Sequence, residues 1–163
     1  MDGVEVRVTS WHDPEGQALR ARQLEETLAS WPDEPIPASS MEEFPIVVIL
    51  SKSGSSIACG GLQPLGGGAA EIKRVYVVPQ YRGREQGVAD LLLLQLECKA
   101  LEHGLTTLKL ETGVMMKRAR AWYERNGFTE IPLFGPYVGA TSSVCYEKRL
   151  AFASDHTAER NDR

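Results

Sequence analysis

The sequence predicts an α/β protein with a single mixed, mostly antiparallel central sheet flanked by helices. Several short segments alternate apolar and polar residues, which is typical of strands with one buried face. Turn-forming residues separate three of these segments, which predicts consecutive antiparallel hairpins. Longer segments with apolar residues three or four positions apart predict helices. The 163 residues fit one domain over residues 1–150, followed by a polar tail, residues 151–163, that we expect to be frayed.

The first part of the chain is predicted to form a strand, a helix and a loop. Residues 4–8, VEVRV, alternate as a half-buried strand does. Pro14 opens a segment with helical spacing. We assign the apolar face of that helix to Ala18, Ala21, Leu24 and Leu28. Residues 30–44 contain three prolines and are predicted to be a loop. Loops of this length in compact domains often have a function.

The remaining elements complete the order β, α, three strands, α, β, α and two strands. The predicted strands are residues 44–50, 57–65, 70–78, 107–112, 128–134 and 143–150. The predicted helices are residues 87–103, with Gly104 in a C-cap position, and residues 117–126, followed by Gly127. This order places helices against one central sheet.

The composition excludes some classes of partner. A net charge of −4 leaves no basic excess for binding a nucleic-acid backbone or an anionic membrane. The first ten residues have neither the basic nor the apolar region of a signal peptide, so we expect a cytoplasmic protein. Cys59, Cys98 and Cys145 are widely spaced in apolar surroundings. We expect reduced core thiols, with no disulfide and no metal site.

The segment YRGREQGVADLLL, residues 81–93, joins an apolar strand to a leucine-rich helix. The first amides of such a helix have no partner within it, and with the positive end of the helix dipole they can bind a phosphate group. Gly87 and Ala89 would let a pyrophosphate approach the backbone closely. The turn is neither a P-loop nor a GxGxxG dinucleotide motif. Taken alone, it also fits an ordinary structural junction.

A series of segments is more specific than the turn. EIKRVYVVP is followed by RGREQGVA, a leucine-rich helix, TLKLETG and AWYERNGF, and this series resembles the GNAT superfamily of N-acetyltransferases over residues 44–150. Residues 84–89 match the family pattern Arg-x-x-Gly-x-Ala, whereas a register starting at Arg82 would place Glu85 at the glycine position. The LETG and FGPY segments are similar to those of a bacterial subgroup of small-molecule acetyltransferases. The resemblance implies the acyl-CoA N-acyltransferase fold.

The resemblance also implies acetyl-CoA as a co-substrate, and no metal. The backbone of the turn would bind the pyrophosphate, and the free edge of the preceding strand would bind the pantetheine arm as an added strand. The cofactor-binding residues implied are Val75, Tyr76, Val77, Arg84, Glu85, Gln86, Gly87, Val88, Ala89 and Asp90.

The activity implied is direct transfer of an acetyl group to a primary amine of a small molecule, without a covalent enzyme intermediate. Two other functions stay open at this point. One is acyl-CoA binding by a regulatory or interaction module without turnover, and the other is acetylation of a protein or peptide. The last strands and the FGPYVG loop offer an edge through which a homodimer could form.

Transfer to an amine requires a base, because an amine that is protonated at neutral pH must lose a proton before it attacks. Glu71, at the start of the strand before the turn, and Glu111, on the neighbouring strand, are the candidates. Tyr123 in YERNGF occupies the family position that donates a proton to the departing thiolate. Each also has a plain interpretation, as an outward-facing strand charge or an aromatic packing residue. The alternative proton donors are Tyr76, Tyr81 and Tyr137.

The other polar residues are predicted to have no catalytic role. Lys73 and Arg74 are expected to be solvated charges. The histidines have no partner pattern and are expected at the surface: His12, His103 and His156. Neither Cys59 nor Cys145 has the setting of a nucleophile.

Overall fold

The computed structural model describes residues 1–151 of the chain. Its strands are β1 Val4–Thr9, β2 Ile46–Lys52, β3 Ser55–Gly66, β4 Ala69–Val77, β5 Thr107–Gly113, β6 Thr129–Ile131 and β7 Ser143–Arg149. Its α-helices are α1 Pro14–Ser30, α2 Val88–Glu102 and α3 Lys117–Arg125. Three short 3₁₀ turns lie at Ala38–Met41, Pro79–Tyr81 and Gly135–Tyr137. The predicted order of elements is therefore confirmed.

All these strands form one sheet in the order β1-β2-β3-β4-β5-β7-β6. β4 and β5 are parallel, and the other neighbouring strands are antiparallel. The predicted single mixed, mostly antiparallel sheet is confirmed. None of the helices within residues 1–151 has the length and apolar character needed to cross a membrane.

The two central strands are paired only at their beginnings. Residues 69–71 of β4 lie opposite residues 107–109 of β5, and β4 then continues to Val77 without pairing to β5. In the part of β4 that no longer pairs with β5, two residues, Arg74 and Val75, lie opposite a single residue of β3, Gly60. Arg74 has a φ of 53°, a left-handed conformation that residues other than glycine adopt rarely. A bulge of this kind bends a strand, so β4 turns away from β5 and a cleft opens between them.

Helices α1 and α2 pack on opposite faces of the sheet. A Cβ atom at Gly16 of α1 would contact Val47 and Ile49 of β2. A Cβ atom at Gly60 would contact leucines of α2, and the β2 partner of Gly60 is Val48. Because successive residues of a strand point to opposite faces, the two helices cover the two faces. Glu71 lies on the α1 face. Lys73 of β4 pairs with Gly61 of β3, which pairs in turn with Val47 of β2. Glu71 is two residues before Lys73 on β4, so it points to the same face as these residues.

The apolar face predicted for α1 is wrong. Three of its four residues are exposed: Ala18, Ala21 and Leu28. The side that meets the sheet instead includes Gly16, Leu19 and Arg20. Arg20 can be buried because its guanidinium lies 3.9 Å from the centroid of the Trp11 ring and donates to the Trp11 carbonyl at 2.6 Å. These contacts replace part of the water that a buried cation loses, and Arg20 Nη1 has no hydrogen-bond partner within residues 1–151.

Two other expectations have mixed outcomes. Cys59 and Cys145 are buried, but Cys98 is exposed, because it falls on the outward side of α2. His12 and His103 are exposed, as predicted. His156 and the tail over residues 152–163 lie outside the described residues.

Candidate active site

A cavity of about 950 Å³ occupies the cleft between the separated parts of β4 and β5. It is bordered by the turn before α2, the unpaired edge of β4, the loop between α1 and β2, the end of β5 and helix α3. Glu71, Glu111 and Tyr123 all line the cavity. The fold thus brings the three predicted catalytic residues into one space.

The N-terminus of α2 is open to an anion. Gly87, which precedes the helix, has a φ of 66°, and no side chain caps the helix at this end. Within residues 1–151, the amides of Val88, Ala89 and Asp90 donate to no acceptor. A Cβ atom at Gly87 would meet a single neighbour within 4 Å, the terminal methyl of Met1 at 2.7 Å. These free amides, at the positive end of a helix, suit a pyrophosphate.

The two arginines of the turn have different environments. The Arg82 Nε donates to the Val77 carbonyl at 2.7 Å, and its two terminal nitrogens pair with Glu26 at 2.5 and 2.8 Å. Arg84 is exposed, lines the cavity and forms no hydrogen bond within the described part of the chain. Arg82 is therefore engaged in holding the end of β4 against α1, whereas the Arg84 guanidinium can approach a ligand.

The predicted cofactor-binding residues divide into two groups. Those that line the cavity are Val75, Tyr76, Val77, Arg84, Gly87, Ala89 and Asp90. The other three do not line it: Glu85 and Gln86 have exposed side chains, and Val88 is buried in the core. Their backbone amides belong to the same turn, so the predicted backbone contacts do not require their side chains.

The edge of β4 that faces the cleft carries two carbonyls already in use. The Val75 carbonyl accepts from Gln23 Nε2 at 2.8 Å, and the Val77 carbonyl accepts from Arg82 at 2.7 Å. A carbonyl oxygen has two lone pairs, so each can accept a second hydrogen bond. Gln23 and Arg82 thereby fix the edge of the strand in a position from which it can pair with an extended ligand.

Glu71 is the last residue of β4 that pairs with β5, so its side chain stands where the two strands separate. It is only 4% exposed. The Tyr137 hydroxyl donates to its Oε2 at 2.6 Å. Burial raises the pKa of Glu71, while the Tyr137 hydrogen bond and the charge of Lys73 oppose this rise. A carboxylate with a raised pKa in a cleft has the character of a proton acceptor.

Glu111 is the second carboxylate of the cavity. It is half-buried, and the Ser143 hydroxyl donates to its Oε1 at 2.8 Å. Burial raises the pKa of Glu111, and the negative charge of Glu71 raises it further, against the effect of the Ser143 hydrogen bond. The two carboxylates therefore face the same space and repel each other.

Tyr123 presents its hydroxyl to the same cavity. Its ring packs against Phe128, with ring centroids 5.4 Å apart, and against Trp122 at 4.7 Å. Its hydroxyl has no hydrogen-bond partner within residues 1–151. Burial, and then the charge of Glu111, raise the pKa of Tyr123. The phenol therefore stays protonated and can donate.

Four polar contacts around Glu71 could not be predicted from the sequence. Ser39 Oγ donates to the Tyr137 hydroxyl at 3.2 Å, and Lys73 Nζ donates to the Ser39 carbonyl at 2.8 Å. Arg74 donates to the Ser40 carbonyl at 3.0 Å and to Gln23 Oε1 at 2.7 Å. Lys73 is 8% exposed. The expectation that Lys73 and Arg74 are solvated is therefore wrong, because both hold the loop before β2 against β4.

A comparison with protein families shows which family the chain belongs to. Residues 8–128 match the family model described as "Acetyltransferase (GNAT) family". The chain belongs to the acetyltransferase (GNAT) family. It is therefore an acyltransferase, and it depends on acetyl-CoA. The segment matched includes the turn before α2, the cleft and Tyr123.

Individual GNAT relatives agree with this membership. The chain is 36% identical over 104 residues to an "IAA acetyltransferase" of Azospirillum brasilense, covering 63% of this chain and 67% of that protein. It is 32% identical over 105 residues to an uncharacterised N-acetyltransferase of Escherichia coli, covering 63% of this chain and 60% of that protein. A solved acyl-CoA N-acyltransferase structure from Klebsiella pneumoniae has a TM-score of 0.75 and 32% identity, covering 91% of this chain and 98% of its own.

The residues of this GNAT chain fit acetyl-CoA. The amides of α2 that donate to no acceptor within residues 1–151 and the left-handed backbone of Gly87 suit the pyrophosphate, and the unpaired edge of β4 suits the pantetheine arm. When bound there, acetyl-CoA supplies the acetyl group as a thioester. Glu71, Glu111 and Tyr123 line the same cavity.

Proposed function

We propose that the protein transfers the acetyl group of acetyl-CoA directly to a primary amine of a small molecule, with Glu71 as the base and Tyr123 as the acid. The observation that supports this is the shared cavity. It joins the amides of α2, which donate to no acceptor within residues 1–151, to the buried carboxylate of Glu71, the half-buried carboxylate of Glu111 and the phenol of Tyr123.

Each residue has a defined part in the proposed transfer. Glu71 accepts the proton that the ammonium group of the acceptor loses, which frees the nitrogen lone pair for attack on the thioester carbon. As the new C–N bond forms and the C–S bond breaks, the Tyr123 hydroxyl donates its proton to the sulfur, and the second proton that the nitrogen loses restores the Tyr123 hydroxyl. Glu111 is the alternative base, because it lines the same cavity and also has a raised pKa.

The residues that line the cavity together with Glu71 and Glu111 favour a small cationic acceptor. The loop between α1 and β2 contributes Trp31, Ile36 and Met41 to the cavity, and the end of β5 is followed by Met115 and Met116. The two carboxylates attract an ammonium group. The apolar side chains of the same cavity suit the hydrocarbon part of a small amine.

Thiol release from acetyl-CoA tests the proposal. The acceptors are polyamines, amino acids, aminoglycosides and short peptides, and the control is the rate without acceptor. We expect at least one small amine to raise the rate, and peptides to leave it unchanged. If calorimetry shows acetyl-CoA binding but no acceptor raises the rate, the protein is a binding module. If peptides alone raise the rate, it is a peptide acetyltransferase. A cytoplasmic location and a homodimer stay predictions.

A further inference from the structure

A series of buried polar groups connects three separate segments beside the cavity. Ser39, in the 3₁₀ turn Ala38–Met41, donates to the hydroxyl of Tyr137, in the turn Gly135–Tyr137, at 3.2 Å. Tyr137 donates in turn to Glu71 Oε2 at 2.6 Å. Ser39, Tyr137 and Glu71 are all buried. We call this series the Ser39–Tyr137–Glu71 chain.

We infer that Tyr137 is a positioning residue that holds Glu71 in its ionised form and aims its free oxygen at the acceptor amine. This inference rests on the proposed function of Glu71 as the base. The tyrosine acts through the carboxylate and does not itself exchange a proton with the acceptor.

The geometry supports a positioning role in two ways. A hydroxyl that donates to a carboxylate stabilises its charged form, and the 2.6 Å distance is typical of a hydroxyl that donates to an ionised carboxylate. Because Oε2 is engaged by Tyr137 and no other hydrogen bond within residues 1–151 reaches the Glu71 carboxylate, Oε1 is left for the acceptor. The hydroxyl of Ser39 donates to the Tyr137 oxygen, which strengthens Tyr137 as a donor.

The ring of Tyr137 is fixed as well as its hydroxyl. It packs edge-on against Phe134, with ring centroids 5.4 Å apart and an interplanar angle of 82°. The Ser39 end of the chain is fixed by Lys73, whose Nζ donates to the Ser39 carbonyl at 2.8 Å. Both ends of the hydrogen-bonded series are therefore held by the fold, so the carboxylate is held in one orientation.

Other ionisable groups also face Glu71, and they must be separated from the effect of Tyr137. Lys73 lies on the same strand, Glu111 on β5, Glu42 on the loop before β2, and Cys145 on β7. Lys73 favours the ionised form of Glu71, whereas Glu42 and Glu111 oppose it. Tyr137→Phe leaves all four in place and removes only the hydroxyl.

A titration by carbon-13 NMR, with the glutamate carboxyl carbons labelled, measures the pKa of Glu71 without any acceptor. The Glu71 resonance is the one lost in Glu71→Gln. We expect Tyr137→Phe to raise its midpoint by about one pH unit, since a hydrogen bond to a charged group has that magnitude. Ser39→Ala should raise it by less, and it serves as the second variant if Tyr137→Phe does not fold.

Tyr146→Phe is the matched control. Tyr146 is also fully buried, but its hydroxyl donates to Glu124 at 2.9 Å, away from Glu71. We expect its removal to leave the Glu71 midpoint unchanged. With an acceptor found by thiol release, the acid limb of kcat/KM should move with the NMR midpoint in Tyr137→Phe.

The possible failures are distinguishable. An unmoved Glu71 midpoint in both Tyr137→Phe and Ser39→Ala overturns the positioning role, whatever the enzyme's activity. The same shift in Tyr146→Phe also overturns it, because the effect would then be general. If the midpoint shifts but Glu71→Gln keeps the wild-type acid limb, Glu71 is not the base. Tyr137 would then position a carboxylate that has no part in catalysis.

Discussion

The indole nitrogen of Trp122, in α3, donates to the carboxylate of Asp90, in the first turn of α2, at 2.7 Å. This bond joins the helix that carries Tyr123 to the helix end that binds the pyrophosphate in our proposal. It also keeps the Asp90 charge engaged. An acidic side chain in the first turn of a helix otherwise interacts with the same free amides and dipole that attract an anion.

Trp122→Phe is expected to weaken acetyl-CoA binding by about threefold to tenfold, the effect of one lost hydrogen bond. The released Asp90 carboxylate would then compete with the pyrophosphate for the amides of α2. Isothermal calorimetry measures the affinity. Adding Asp90→Asn to Trp122→Phe removes the competing charge, so the double variant should recover most of the loss. A Kd equal to that of wild type in Trp122→Phe would contradict this account.

Gly87 and Gly104 form a matched pair for testing the phosphate site. Both have positive φ, 66° and 70°, so an alanine at either position costs about 1–2 kcal/mol of backbone strain. Gly104 lies after α2, with open space around its Cβ position. We expect both Gly87→Ala and Gly104→Ala to lower the melting temperature, but Gly87→Ala alone to weaken acetyl-CoA binding, by about tenfold. Equal affinity in the two variants would remove the turn from the site.

Much of the fold was predictable because its signals are local. The alternation of apolar and polar residues, the turn residues and the capping glycines each depend on a few neighbouring residues. The order of elements was predicted from these local signals, and the structure confirms it. Gly104 is an example: its φ of 70° and the bond from the Leu105 amide to the Ala100 carbonyl at 2.9 Å end α2 where the sequence predicts. The GNAT resemblance was equally local, since it depended on two short motifs.

The contacts around the cleft could not be predicted because they join distant segments. Tyr137 and Glu71 are 66 residues apart, and Ser39 and Tyr137 are 98 apart. Arg74 was expected in water, but the bulge turns its side chain toward α1, where it donates to the Arg20 carbonyl at 2.9 Å. No periodicity signals such a bulge. Tertiary contacts therefore decided which charged residues became buried.

Glu71→Gln tests the proposed base. Because burial raises the pKa of Glu71 above its usual value of 4.5, wild-type turnover should fall as pH drops through that raised pKa, where the base becomes protonated. In Glu71→Gln we expect turnover about 100-fold lower at neutral pH, without this acid limb. Glu111→Gln should keep the limb, and both variants should keep acetyl-CoA affinity. If Glu111→Gln removes the limb and Glu71→Gln keeps it, the two roles are exchanged.

Asp13 should make stability depend on pH. It caps α1, accepting from the amides of Glu15 at 3.0 Å and Gly16 at 3.1 Å, and it pairs with Arg7. The Arg7 hydrogen bond lowers the pKa of Asp13 from 3.8 to about 2. Because the folded pKa is depressed, this stabilisation is present above about pH 4 and is lost as pH falls toward 2.

Two variants at this position separate the cap from the charge. Asp13→Asn keeps an oxygen that can cap α1, so it should lose only the pairing with Arg7. Asp13→Ala should lose about 1 kcal/mol more, the usual effect of an N-cap. Urea denaturation at pH 7 and pH 3 measures both. We expect the difference between wild type and Asp13→Asn to shrink at pH 3, and a constant difference would show that the ion pair contributes nothing.

Tyr123→Phe tests the proposed acid. The substitution keeps the ring that packs on Phe128 and removes only a hydroxyl that has no partner within residues 1–151, so the melting temperature and acetyl-CoA affinity should change little. Turnover should fall on the order of 100-fold, the usual effect of losing a general acid. Tyr146→Phe is the control, because that ring lies 6.5 Å from Tyr123 and its hydroxyl already accepts from Arg120 at 3.0 Å. Tyr146→Phe should lose stability and keep turnover. If Tyr123→Phe retains full turnover, Tyr123 is a packing residue, and water or another tyrosine protonates the departing thiolate.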